Sequence, residues 1–264
     1  GHLGIKRRDA QGYMGRGAAY ISKRDFVRAD QDLNKAQQLA PGSWRVHALR
    51  ATMLFEMKEY RKAVSEYTSA IRLKPDFGFL YLARAGALVL NGEYARAIPD
   101  AGECIRTDPR NAVAFRLRGA CYQSLGRLDE ALTDSEVALE LDPRDAENWL
   151  ARGSVRSALQ MHDQAIADID HALQLDTEAG RYYHAYANAL RNAGRHEESI
   201  RACNHALKLN PKDADALEAR GLANGALNKH DLAENDFSQV IALAPKYGLA
   251  YGNRAMARRF LHNY

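Results

Sequence analysis

Residues 112–145 read AVAFRLRGACYQSLGRLDEALTDSEVALELDPRD. Two segments of helical periodicity flank the turn Leu125-Gly126-Arg127, and Pro143 closes the second. A proline cannot continue a helix, and it disfavours helical geometry in the residue before it. Moving outward in steps of 34 residues finds the same proline at Pro41, Pro75, Pro109, Pro211 and Pro245, with one mark skipped at Thr177. The seventh proline, Pro99, lies off this spacing, early in the second helix of its repeat, where a slight bend is expected. A fixed period of 34 is the signature of tandem helix–turn–helix units, each packing mainly on its neighbours.

Starting each repeat 31 residues before its proline gives 10–43, 44–77, 78–111, 112–145, 146–179, 180–213 and 214–247, with 248–264 left over. Position 8 is always small (Gly17, Ala51, Ala85, Gly119, Gly153, Ala187, Gly221, Ala255). Positions 20 and 27 are small as well, as in Ala131 and Ala138. Small residues at these places let two helices approach closely. Position 4 is bulky: Tyr13, His47, Tyr81, Phe115, Trp149, Tyr183, Leu217 and Tyr251. Rings there would fill the space between helices.

Phe115, Gly119, Tyr122, Ala131, Ala138 and Pro143 resemble the motif of the tetratricopeptide repeat family, and the resemblance extends over 10–264. It implies an all-α, right-handed α-solenoid, a superhelix whose first helices line a concave face through positions 2, 5, 9, 12 and 13. Two departures stand out. Arginine occupies position 7, where the family usually has leucine, and Thr177 replaces a proline.

The chain has 264 residues and a net charge of +4 on a mixed surface, which is weak support for nucleic-acid binding. No apolar run reaches the ~18–20 residues of a membrane span. The opening Gly1-His2 reads as a cloning scar, so 1–9 is expected to be a leading segment. The remainder 248–264 is expected to be a capping helix or the first part of an eighth repeat. Cys104, Cys121 and Cys203 form no disulfide framework and read as reduced packing residues, which favours a reducing, cytoplasmic compartment; Cys121 could lie near Cys104.

Position 7 carries Arg16, Arg50, Arg84, Arg118, Arg152, Arg220 and Arg254. Position 23 is Asp32, Glu66, Asp100, Asp134, Asp168 and Asp236 in the repeats with that arginine. In the sixth repeat the two positions are Tyr186 and Ala202, so both charges vanish together. That pattern predicts ion pairs within single repeats, clamping first helix to second, rather than a cationic ladder for nucleic acid. Arg254 has no second helix of its own; Asp236 is one expected partner, a carboxylate outside this chain another.

His162, His196 and His230 recur at position 17, and His171 and His205 at position 26. Equivalent positions lie two helix spacings of ~8–10 Å apart. Zinc ligands all lie ~2 Å from the metal. A metal site is therefore not expected. No phosphate-binding glycine loop, H-E-x-x-H, G-x-S-x-G or C-x-x-C occurs, and neither a catalytic group nor a cofactor is expected.

The concave positions implied by the resemblance include Met14, Ile21, Arg45, Thr52, Phe55, Phe79, Leu82, Val89, Arg116, Gln123, Arg181, His184, Asn188 and Arg191. Through the third repeat this strip is apolar; in the sixth it is polar and basic. An exposed apolar strip rimmed by polar groups marks an interaction site. The alternative is that Phe79, Leu82 and Leu90 only pack against neighbouring first helices. Positions 5 and 9 lack the lysine and asparagine of the family's carboxylate-clamp members. The expected function is a non-enzymatic scaffold or adaptor. Its partner would be an extended peptide or amphipathic helix with apolar anchors and an acidic stretch. A second expectation is a non-catalytic targeting or substrate-recruiting domain of a larger enzyme or regulator. Nucleic-acid binding is the weakest of the three.

Overall fold

The computed structural model describes residues 2–178 and 180–262, with side chains from residue 9 to residue 261 except 179. The protein is all-α, and helix accounts for 81% of the described residues, consistent with two helices in every 34 residues. The described residues form two compact units, divided between Leu141 and Asp142.

The first unit holds α1 (His2–Ser22), α2 (Phe26–Leu39), α3 (Trp44–Glu56), α4 (Tyr60–Leu73), α5 (Gly78–Leu90), α6 (Tyr94–Thr107), α7 (Ala112–Ser124) and α8 (Leu128–Leu141). The second holds α9 (Ala146–Ala158), α10 (His162–Leu175), α11 (Gly180–Asn192), α12 (His196–Leu209), α13 (Ala214–Ala226), α14 (His230–Leu243) and α15 (Gly248–His262). Within each unit the helices pack in consecutive pairs, a solenoid of helical hairpins. Odd-numbered helices are the first of each pair.

Each hairpin turns on one backbone device. Position 15 has positive φ in every repeat: Arg24, Lys58, Gly92, Gly126, Gln160, Gly194 and Asn228, with φ between 58° and 78°. The next amide reaches back five residues, as Arg127 N does to Tyr122 O at 2.9 Å and Met161 N to Arg156 O at 2.9 Å. This bond satisfies a carbonyl that the helix end leaves open.

The second helices stop by more than proline. At position 31 an Asp or Asn side chain accepts the amide two residues on: Asp108 from Arg110, Asp142 from Arg144, Asp176 from Glu178 and Asn210 from Lys212, at 3.1–3.3 Å. This side-chain turn competes with helix continuation. It explains why α10 ends at Leu175 although Thr177 stands in place of proline. Pro99 is the sixth residue of α6, not in its first turn. Its missing N–H therefore removes a helical hydrogen bond, and the helix continues through it.

Small residues set how closely the helices pack. A Cβ on Gly153 would sit 2.7 Å from Ile169 Cγ1, and one on Gly119 3.3 Å from the Ala131 carbonyl oxygen. Ala131, Ala138, Ala165 and Ala172 on the second helices are fully buried.

The ion-pair ladder forms in five repeats. Arg84 Nε and Nη2 each donate to Asp100 at 2.7 Å. Arg16–Asp32, Arg118–Asp134, Arg152–Asp168 and Arg220–Asp236 repeat this fork, with every carboxylate buried. Repeat two departs from the expected pair. Glu66 lies 2.7 Å from His47 Nδ1, and Arg50 donates to Asn34 at 2.7 Å. Glutamate is one methylene longer than aspartate, which carries its carboxylate past the guanidinium to position 4. Only in this repeat is position 4 a histidine instead of a ring or leucine.

The arginines also bind backward, a contact the spacing argument missed. Arg84 Nη1 donates to Thr68 at 3.0 Å and Arg220 Nη1 to Asn204 at 2.7 Å. Each partner precedes its arginine by sixteen residues, on the second helix of the preceding repeat. One guanidinium thus joins three helices. In repeat six, Ser199 Oγ instead donates to the Ala187 carbonyl at 2.8 Å.

The three cysteines are free and buried. Burial pushes the thiols of Cys121 and Cys203 up to about 11. Three histidines serve as packing rings: His171 on Trp149 (centroids 4.0 Å), His205 on Tyr183 (5.5 Å) and His230 on Phe260 (4.8 Å). Among the described residues no cluster of His, Cys, Asp or Glu is placed to hold a metal ion, and no helix is long and apolar enough to cross a membrane.

Candidate partner-binding surface

In the first unit, α1, α3 and α5 border an open apolar cleft of about 720 Å³. Met14 and Ala18 contribute from α1, Arg45 and Ala48 from α3, and Phe79 from α5. Trp44 and Phe77 add two rings. The ring centroids of Trp44 and Phe77 are 5.1 Å apart, and those of Phe77 and Phe79 6.0 Å. The Arg45 guanidinium lies over Trp44 at 4.7 Å. Phe79 is 61% exposed and Leu90 53%.

The expected groove residues divide by environment. Met14 and Ile21 are withdrawn into packing, Met14 with Ala36 and Val46, Ile21 with Leu33 and Met53. Phe55 is half-buried, edge-on to Tyr60 at 5.5 Å, and both it and Val89 pack against the core around Tyr67, Leu80 and Leu88. Leu82, Arg116 and Gln123 are half-buried. Thr52 is exposed, its hydroxyl donating to the Ala48 carbonyl at 3.0 Å. Arg45 and Phe79 stand open beside the cleft.

In the second unit, the basic character expected of α11 is partly cancelled. Arg181 donates to Glu147 through Nε at 2.8 Å and through Nη2. Tyr182 donates its hydroxyl to the same carboxylate at 2.7 Å. Burial, with that hydrogen bond, pushes the Tyr182 phenol above its ordinary value. His184 and Asn188 hydrogen-bond to each other at 2.9 Å, and Arg191 is half-buried. The glutamate lies 34 residues before Arg181, at position 2 of the preceding repeat. Comparing equivalent positions of successive repeats would have found this pair. Trp44 and Phe77 were missed because they occupy positions 1 and 34, outside the groove positions the motif supplies.

Family models described as tetratricopeptide repeat match residues 48–112, 82–146, 146–178 and 180–224. The chain belongs to the tetratricopeptide repeat family. No curated protein sequence matches it. Similar solved structures include the Cut9–Hcn1 hetero-tetramer of the APC/C, with TM-score 0.78 at 17% identity, covering 93% of this chain and 48% of that one. The chain thus spans about half the length of that relative. A tetratricopeptide repeat protein from Parabacteroides merdae also gives 0.78, at 16% identity, covering 95% and 99%. YrrB, described with an unusual peptide-binding site, gives 0.54 at 21% identity, covering 72% and 97%. In general terms the chain is a protein–protein interaction scaffold.

Proposed function

We propose that the chain is a non-enzymatic adaptor that holds a segment of another protein against the α1/α3/α5 cleft. The carrying observation is the ring cluster of half-buried Trp44 with exposed Phe77 and Phe79 beside an apolar cleft. Burying one such ring on a ligand is worth roughly 1.5–3 kcal/mol. Association entropy offsets part of this, so a short segment with two or three apolar anchors would bind in the micromolar range. Arg45, held over the Trp44 ring, offers a cation to an acidic residue beside the anchors. Arg181 offers less, since Glu147 already neutralises it. The arginine ladder favours this reading over nucleic acid, because its guanidinium groups are committed to buried carboxylates.

Peptides selected from a random library on the intact protein test this. They should carry aromatic or aliphatic anchors and lose at least tenfold in affinity on Phe79→Ser. An exposed change on a second helix, Lys62→Ala, should leave them unaffected. Equal binding to parent and Phe79→Ser would show that the cleft is not the site.

A further inference from the structure

The arginine ladder has a gap in repeat six, where Tyr186 and Ala202 stand at positions 7 and 23. The gap coincides with an open cleft of about 380 Å³ between α10, α11 and α12. Asp170 borders it from α10, Tyr183 and Tyr186 from α11, and Glu198, Arg201 and Ala202 from α12.

Elsewhere three kinds of group hold the guanidinium. The first is the aspartate at position 23 of the same hairpin, as Asp100 holds Arg84. The second is a side chain sixteen residues earlier, on the second helix of the preceding repeat: Asn34 for Arg50, Thr68 for Arg84 and Asn204 for Arg220. The third is the position-4 ring: Tyr81 under Arg84 at 5.7 Å, Phe115 under Arg118 at 5.6 Å and Trp149 under Arg152 at 5.1 Å. Repeat six has lost the first and kept the other two. Sixteen residues before Tyr186 stands Asp170, a full carboxylate, and position 4 is Tyr183. His205 stacks on Tyr183 as His171 does on Trp149, and Trp149 carries its arginine as well. Among the described residues no guanidinium lies over Tyr183. Among them, too, Asp170 accepts one hydrogen bond, from the Gln174 amide at 2.9 Å, and pairs with no cation. Burial pushes the Tyr186 phenol up, and the nearby Asp170 charge adds to this. Glu198 is already taken: Arg195 forks it with two bonds of 2.6 Å, and Arg201 lies 3.9 Å from it.

We propose that this cleft binds a guanidinium group, supplied by an arginine side chain of a partner protein. The ligand sits where the chain's own arginine sits in five other repeats, on the Tyr183 and Tyr186 side of Asp170. A planar guanidinium forks a carboxylate while lying on an aromatic face, whereas an ammonium offers one point of charge. A free amino acid fits less well, because its ammonium needs a second carboxylate and Glu198 is taken. The site lies in the second unit and the α1/α3/α5 cleft in the first, so its failure would leave the adaptor reading intact.

The probe is the capped tripeptide acetyl-Gly-Arg-Gly-amide, titrated into the full chain and followed by amide NMR shifts. Saturable shifts should appear at 183–186 and 198–205. The lysine counterpart should bind about tenfold more weakly, and Asp170→Asn should weaken the arginine peptide by a similar factor. Arg201→Gln removes a like charge and should tighten binding. Tyr186→Arg combined with Ala202→Asp rebuilds the clamp of the other repeats; this variant should keep the parent's helical circular dichroism and lose the shifts. Should it fail to fold, the isosteric Asp170→Asn decides. Absence of saturable shifts, equal affinity for the lysine peptide, binding indifferent to Asp170→Asn or retained by the folded clamp variant, or weakening by Arg201→Gln overturns the proposal. So does free L-arginine binding about tenfold more tightly than the peptide, which would assign the cleft to the amino acid itself.

Discussion

Arg118 and Asp134 stand sixteen residues apart on α7 and α8, joined by two parallel hydrogen bonds of 2.8 Å. The aspartate is buried, while the arginine side chain keeps 24% of its exposure. The same fork recurs in four other repeats and is missing where Tyr186 and Ala202 replace its members. A planar guanidinium fits this geometry, whereas a lysine would offer one point of charge.

Arg118→Ala should strand the buried Asp134 and cost about 3 kcal/mol, the lower end for a buried pair with one partner partly solvated. The double change with Asp134→Ala should cost less than the two single changes combined. Urea melts of the four proteins measure the coupling, and simple additivity would mean the fork contributes nothing beyond its separate groups.

Arg16 holds the Asp32 carboxyl below its usual value, chiefly through its hydrogen bonds, against the opposing effect of burial. A depressed folded pKa contributes stability above the unfolded value of about 3.9 and loses it as pH falls through the folded one. Thermal melts from pH 6 down to pH 2 should therefore show a shallower acid loss in Asp32→Asn than in the parent. A carboxyl titration midpoint for Asp32 at or above 3.9 by NMR would contradict this.

Lys58 and Gln160 hold positive φ of 62° and 61° at the turn position where Gly92, Gly126 and Gly194 stand in other repeats. Glycine adopts this region without a Cβ penalty. Lys58→Gly and Gln160→Gly should each stabilise by about 1 kcal/mol, and Gly126→Ala should destabilise by a similar amount. Chemical denaturation midpoints check the signs.

Cys121 and Cys203, with thiols at about 11, are only about 0.1% thiolate at pH 8 and are shielded from reagent. Thiol-reactive dye should label the native protein slowly at both sites and label fully in denaturant. Rapid native labelling would place these thiols at the surface.

The period of 34 determined the fold, because helix length, turn position and small-residue contacts all repeat with the sequence and act between near neighbours in the chain. Co-variation of positions 7 and 23 revealed the clamp for the same reason: both members belong to one hairpin. The contacts between successive repeats lay outside that logic. Arg84 with Thr68, Arg220 with Asn204, and Arg181 with Glu147 depend on how one hairpin seats on the next. The rerouting of Glu66 to His47 turns on a single methylene, and the position-4 histidine signals it only once the side-chain paths are known. The groove was only partly legible. The family resemblance placed Met14 and Phe79 on one strip, but packing buried most of the first and left the second open. The packing of neighbouring helices, not the identity of a residue, fixes how much of its surface remains in water.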